Sequence, residues 1–393
     1  MLKLAIEGGT PVRDTPYPAW PVSGPREEEL LRRVLFSEQW GGYSELVTEL
    51  EQLFAGLHDA RYGVAVANGT LALELSLLAA GIGPGDEVLV PAHSFIATAS
   101  AVSRVGAVPV FVDIDRRSFN IDPERAEAET TKRTRAMIVV HFAGQIADMD
   151  RLEDFAKSRS LIVISDAAHA HGAEWRGLRA GGYGLASTFS FQNSKAMSAG
   201  EGGLIISNDE EFTARVRSLG NGGRRPDGGW FEHFELGSNF RMTGFQAAVL
   251  LAQLERLGEQ VRLRRDNTEE LRNALEGTPG VYLQQQPEAA SAHTLYLLPG
   301  WIDEDEFGAD RDDFVAALEA EGIPVRAFYP HPLYKNPMYE KLPHRVGECP
   351  VAEEASEDSF WLPQRTLMGS VEDTLDIARA TLKIHEALKL TSS

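Results

Sequence analysis

Between residues 60 and 207 the chain carries short apolar, β-branched runs at 62–66, 87–90, 108–112, 136–140, 161–164 and 204–206, separated by segments of helical length. Runs such as Ala136-Met-Ile-Val-Val140 are apolar at consecutive positions, as expected of strands covered on both faces. The pattern predicts an α/β fold, with a mostly parallel central sheet sandwiched by helices. Two amphipathic helices precede it. One opens at Pro25 with Glu27-Glu28-Glu29, and one follows Ser44 with Leu46, Leu50 and Phe54 on a single face. A long helix over about 243–275, carrying Leu250, Leu254 and Leu257, leads to a smaller C-terminal α/β domain. Its predicted elements are strands at 281–283, 293–298 and 325–327 and helices at 311–320 and 372–388, with acidic residues 303–306 as a solvated loop. The expected division is 1–250, an N-terminal segment with the large domain, and 251–393, the connecting helix with the small one.

Composition narrows the class. With 43% hydrophobic residues in 393, the chain can fill a large core. Only 38 Lys and Arg stand against 58 Asp and Glu, and the net charge of −20 disfavours nucleic acid and anionic membrane as partners. Cys349 is the single cysteine, so no internal disulfide forms, which fits a reducing compartment. No apolar run nears the roughly 18 residues of a membrane span, and the start of the chain, with Gly8-Gly9, lacks a signal-peptide core. A soluble, cytoplasmic protein is expected.

Candidate chemistry sits at three strand ends. In Leu161-Ile-Val-Ile-Ser-Asp166-Ala-Ala-His169-Ala-His171-Gly172 a carboxylate closes an apolar strand, where α/β sheets bind ligands. Asp166 there suits either the ring nitrogen of a cofactor or the cap of a following helix. His169 and His171 have no third ligand cluster near them, so no metal centre is expected. In Ser187-Thr-Phe-Ser190-Phe-Gln-Asn-Ser-Lys195, small and uncharged neighbours can desolvate Lys195, which reads as a Schiff-base nucleophile or as a surface lysine in a loop. Its pairing with Asp166, 29 residues upstream, favours the first. Asn68-Gly69-Thr70, between a strand and a helix, suits a phosphate monoester and equally a plain turn with an N-cap. Phe95, past another strand end, suits either ring stacking or core packing. Gly81-Ile-Gly83-Pro84-Gly85 precedes its strand and reads as a turn.

From about Ala19 to the last helix the chain resembles the DegT/StrS-type sugar aminotransferases among the fold-type I pyridoxal-phosphate enzymes. The Ser-Asp-Ala-Ala-His-Ala-His-Gly stretch, Phe-Ser-Phe-x-x-x-Lys, Gly200-Glu-Gly-Gly and Gly237-Ser-Asn239-Phe-Arg241-Met recur in that order. The resemblance implies pyridoxal 5'-phosphate on Lys195, Asp166 at the pyridine nitrogen, Phe95 on the ring, and Gly69, Thr70 and Ser190 at the phosphate. It implies that Asn239 reaches the neighbouring subunit's phosphate in a homodimer with shared sites. The resemblance places His169, where most members have Gln, beside the cofactor's phenolic oxygen; the His form is similar to the branch containing 3-amino-5-hydroxybenzoate synthase, and the Phe-Ser-x-Gln run at Phe189 to Gln192 is similar to the cyclitol aminotransferases.

The implied reaction is transamination from glutamate or glutamine to a cyclic ketone, either a keto cyclitol or a nucleotide-linked keto sugar. Related dehydratases carry histidine in place of the lysine, so Lys195 favours transamination. A lyase-type activity, as in aminohydroxybenzoate formation, and a non-catalytic cofactor-binding regulator are the alternatives. Trp40, Tyr43, His293, Tyr329, His331 and Tyr334 are the candidates for acceptor contacts, and Arg224 and Arg225 for a phosphate or donor carboxylate.

Overall fold

The computed structural model describes residues 3–391. Strands β1 (Tyr62–Val66), β2 (Glu87–Pro91), β3 (Val108–Val112), β4 (Thr134–Val140), β5 (Ile162–Asp166), β6 (Ala186–Ser190) and β7 (Gly203–Ser207) lie in one sheet. A second sheet is formed by β8 (Val281–Leu283), β9 (Leu297–Ile302), β10 (Arg326–Ala327) and β12 (Ser359–Pro363), while β11 (Arg345–Val346) returns to the first. The eight-stranded order is β1-β7-β6-β5-β4-β2-β3-β11, and the four-stranded order is β8-β9-β12-β10. Parallel pairing joins β6, β5, β4, β2, β3 and β11. Strand β7 runs antiparallel to both of its neighbours, so β1 points the same way as β6.

The consecutive apolar positions split between two cores by the two-residue period of a strand. Val88, Val90, Phe111 and Ile138 face Leu73 of the helix Gly69–Ala79 and Val102 of the helix Ala97–Arg104. Leu89, Val110, Val112 and Val139 share the opposite core with Leu50 and Phe54 of the helix Glu45–Leu57 and Leu250 of the helix Gly244–Leu275. Burying each such side chain stabilises the fold by about 1.5–3 kcal/mol, so the two-faced pattern explains the sandwich. Leu4 and Tyr17 from the start of the chain pack in a third core with the C-terminal sheet.

Two local expectations differ from the structure. Of the predicted strand 293–298 only Leu297 and Leu298 belong to β9. The amides of Thr294 and Tyr296 bond instead to the carbonyls of Gly144 and Ala143, both at 3.0 Å, and Leu295 takes a φ of 53°. The acidic segment is not a loop: Asp303 accepts from the Glu306 amide and starts the short helix Glu304–Phe307, anchored by buried Phe307. The helix Pro350–Asp358 and strand β12 carry weak patterns of their own and are recognisable only from their partners.

Candidate active site

The C-terminal ends of β1, β2, β5 and β6 lie along one edge of the large sheet and open onto a cavity of about 830 Å³. Parallel strands carry their loops to this edge, which is where such sheets bind ligands. Asp166 is the last residue of β5, in register with Thr188 of β6. Its Oδ2 accepts from Thr98 Oγ1 at 2.8 Å and its Oδ1 from the Ala168 amide at 3.2 Å. Burial pushes its carboxyl above the ordinary 3.8, outweighing those two donors and the Lys195 charge, all of which pull the other way. No helix follows β5; the chain turns. The capping reading of Asp166 is therefore excluded, and a buried carboxylate aimed at a cavity calls for a cationic partner.

At the head of the helix Gly69–Ala79, Asn68 is the N-cap, its Oδ1 accepting from the Leu71 amide at 2.9 Å. The amides of Gly69 and Thr70 are left without acceptors inside the helix, and the helix dipole adds positive potential there. A Cβ on Gly69 would stand 2.7 Å from Ser190 Cβ, so glycine is what admits the Ser190 hydroxyl beside the helix end. Two amides and two hydroxyls around a cavity corner fit a phosphate dianion. Phe95 is 55% exposed and lines the cavity, which rules out its core-packing reading.

Lys195 also lines the cavity and is half-buried. Three elements distant in sequence hold the turn that carries it. The Trp20 indole donates to the Lys195 carbonyl at 3.1 Å, Gln364 Nε2 donates to the Ser194 carbonyl at 2.7 Å, and Ser194 Oγ bonds the Tyr296 hydroxyl at 2.8 Å.

Residues 22–380 match the DegT/DnrJ/EryC1/StrS aminotransferase family. The chain belongs to that family. It is 37% identical over 416 residues to the L-glutamine:2-deoxy-scyllo-inosose aminotransferase of Streptomyces fradiae, covering 97% of each chain. It is 38% identical over 370 residues to the 3-amino-5-hydroxybenzoate synthase of Amycolatopsis mediterranei strain S699, covering 90% of this chain and 93% of the relative. Among solved structures, 3-amino-5-hydroxybenzoic acid synthase superposes with a TM-score of 0.89 at 35% identity, covering 95% of this chain and 99% of the other. DesI in the presence of its TDP-sugar product gives 0.88 at 32% identity, covering 99% and 98%.

Of the acceptor candidates in this aminotransferase, only Tyr329 lines the cavity of the described chain. His293 is wholly buried behind the 143–144 turn. His331 donates to the Pro332 carbonyl at 3.2 Å, and the Tyr334 hydroxyl donates to Glu353 at 2.8 Å. Trp40 leans on Phe245, and Tyr43 donates to Asn221 Oδ1 at 2.8 Å, both on the surface. Arg224 and Arg225 lie over Trp230 and Phe234, away from the cavity. Asn239 is exposed, its Oδ1 accepting from the Arg241 amide.

Two residues at the site escape sequence reasoning. Thr98 is one of several polar positions in the helix Ala97–Arg104, three residues beyond Phe95, and that spacing is the signal that finds it. Tyr296 carries no such signal, because a strand over 293–298 would put it on the face opposite His293.

His169 is stacked on Tyr296, with centroids 4.5 Å apart at 29°, and burial followed by the Lys195 charge holds its imidazole well below the ordinary value. It belongs to a set of buried neutral histidines: burial lowers His58 to about 4 and His93, His141 and His293 to about 3. The unfolded chain takes up protons first as the pH falls below 6.5, so stability present above 6.5 is lost progressively down to those folded values. Each group removes about 1.4 kcal/mol per pH unit in that window. Raised carboxyls at Asp166, Glu51, Asp113 and Asp358 act in the opposite sense. The urea midpoint is expected to be clearly lower at pH 5 than at pH 7.5; an equal or higher midpoint at pH 5 would contradict this accounting.

Proposed function

We propose that this chain is a pyridoxal-phosphate transaminase that moves an amino group from glutamine or glutamate to a cyclic ketone, with a free keto cyclitol ranked ahead of a nucleotide-linked keto sugar. The observation that carries the reading is the convergence on one cavity of a buried carboxylate, a lysine and a helix N-terminus opened by glycine. These residues fit the cofactor on chemical grounds: among the described residues Asp166 forms no ion pair, leaving room for a protonated ring nitrogen, and Gly69 clears the corner that a phosphate would fill. Relatives named as glutamine:keto-cyclitol aminotransferases support both the donor and the acceptor.

When bound, the cofactor supplies an aldehyde that condenses with amines and a ring that accepts electrons. Lys195 Nζ would hold it covalently and, when free, would take and return the proton at the donor's α carbon. Asp166 would keep a proton on the ring nitrogen, with its carboxylate held in place by Thr98 and the Ala168 amide. Gly69, Thr70 and Ser190 would hold the cofactor's phosphate, and Phe95 and His169, which line the same cavity, would contact the rest of it. Leu297, Phe328, Tyr329 and Trp361 wall the cavity and exclude water.

Homodimerisation with shared sites belongs to the same reading. Asn239 is exposed here and is assigned to the neighbour's phosphate. Phe231 and Leu236, 85% and 99% exposed on the preceding loop, are apolar surface that a second copy would cover. The division into residues 1–250 and 251–393 is also proposed, with the opening segment resting on the C-terminal core. Among the described residues no helix is long and apolar enough to cross a membrane.

The test is a panel of keto cyclitols, nucleotide keto sugars and aliphatic keto acids offered to protein carrying the cofactor's amino form. A site built to pair ring hydroxyls rejects ketones lacking them by about 10⁴-fold in kcat/KM, so a cyclitol of the inosose type is expected to react fastest. Faster amination of an aliphatic keto acid would sink the reading.

A further inference from the structure

Lys195 sits on a turn whose main chain is fixed by Trp20 and Gln364, but neither contact reaches its amine. The side chain has four rotatable bonds, and a lysine of this kind loses considerable freedom when its end is held. Its Nζ stands 4.4 Å from the centroid of the Tyr296 ring, a cation–π distance. That ring is held on three sides. Its other contact is the parallel-leaning imidazole of His169 at 4.5 Å, its hydroxyl bonds Ser194 Oγ at 2.8 Å, and its amide bonds the Ala143 carbonyl at 3.0 Å. Ser194 Oγ in turn donates to Gln192 Oε1 at 2.7 Å, so the hydroxyl of Tyr296 is tied into the turn that bears the lysine. The preceding residue, Leu295, adopts a φ of 53°, a conformation that leucine rarely takes and that aims Tyr296 away from the path of a regular strand.

We propose that Tyr296 is a positioning residue for Lys195: its ring is the seat on which the free amine rests, and its hydroxyl locks that seat to the Ser194 turn. The inference rests on the assignment of Lys195 as the residue that carries the cofactor. The need for such a seat follows from the chemistry. The lysine is released whenever an amino donor takes its place, and must then wait within reach of the reacting carbon and later return to the same atom. An amine free to sample its rotamers loses effective concentration, whereas one resting on a fixed ring keeps it. The charged groups facing Lys195 are Asp166, His169 and His171, and both histidines are held neutral by burial. Tyr296 thus offers the protonated amine a cation–π surface that takes no proton from it, and the hold lapses once the amine is deprotonated to react.

The test uses cofactor-free protein and compares Tyr296→Leu, Tyr296→Phe and Ser194→Ala with the parent. Pyridoxal 5'-phosphate is added, covalent attachment is trapped at intervals with borohydride, and the labelled peptide is identified by mass spectrometry. Binding of pyridoxine 5'-phosphate, an alcohol that cannot condense with an amine, is measured in parallel to report on the pocket itself. Tyr296→Leu is expected to attach the cofactor about tenfold more slowly with pyridoxine 5'-phosphate affinity unchanged, while Tyr296→Phe, which keeps the ring, stays within about threefold of the parent and matches Ser194→Ala. Attachment by Tyr296→Leu at the parental rate overturns the proposal, as does equal slowing of the Phe and Leu variants, which would leave the ring without a role. Tyr296→Met, a flexible replacement of similar length, gives the same comparison if the Leu variant melts early. A label on a different lysine in the parent protein would instead overturn the cofactor assignment, so the two failures are distinguishable.

Discussion

Lys195→Ala is expected to abolish turnover, lowering kcat by about four orders of magnitude, and to remove covalently held pyridoxal phosphate and the visible absorption that accompanies it. The size follows from the loss of two tasks in one group, covalent attachment and proton transfer. No neighbour can take them over, since His169 is buried and held neutral, and Asp166 is already bonded to Thr98 and the Ala168 amide. Borohydride reduction of the parent protein should mark Lys195, and a mark elsewhere would refute the assignment. The same variant tests the shared site. Lys195→Ala mixed with Asn239→Ala should regain part of the parental activity, because one of the two sites in each mixed dimer carries neither change. Full activity of a monomer in dilute solution would contradict this arrangement.

Asp166→Ala is expected to lower kcat by about a thousandfold while leaving the cofactor bound through its phosphate. The carboxylate is buried, and its cost is offset only when a cation faces it, so it stabilises charge on the ring nitrogen far more strongly than an exposed carboxylate would. Asp166→Asn should fall with it, since an amide fits the space but carries no charge. Thr98→Val should show the same effect in milder form by freeing one oxygen from its 2.8 Å hydrogen bond. Near-normal turnover in Asp166→Ala would return the residue to a purely structural role.

Much of the fold was legible because burial writes itself into sequence twice. A strand covered on both faces reads as a continuous apolar run, and an amphipathic helix as a stripe. Strands at 62–66 and 108–112 and the long helix ending at Leu275 stand where those periods place them. Asp166 was legible for a related reason, as a charged residue closing an apolar strand, where burial without a purpose would be costly, and Lys195 through its small uncharged neighbours and its pairing with Asp166. The motif order extended that reading to the family.

What the sequence by itself determined, then, is the layered α/β architecture, the strand edge at which chemistry collects, and the residues whose chemistry is too costly to place there idly. Only the tertiary structure decided which side chains surround them. Tyr296 reaches Lys195 because Thr294 and Tyr296 bond to the 143–144 turn instead of joining a strand, and His293 is sealed away by the same geometry. Thr98 reaches Asp166 across 68 residues of sequence, and Trp20 and Gln364 hold the lysine turn across 175 and 170. Such contacts have no period and no local propensity. They arise from where the chain's irregular segments find hydrogen-bond partners once the sheet is closed, and a backbone group deprived of water must take whichever partner the fold brings near.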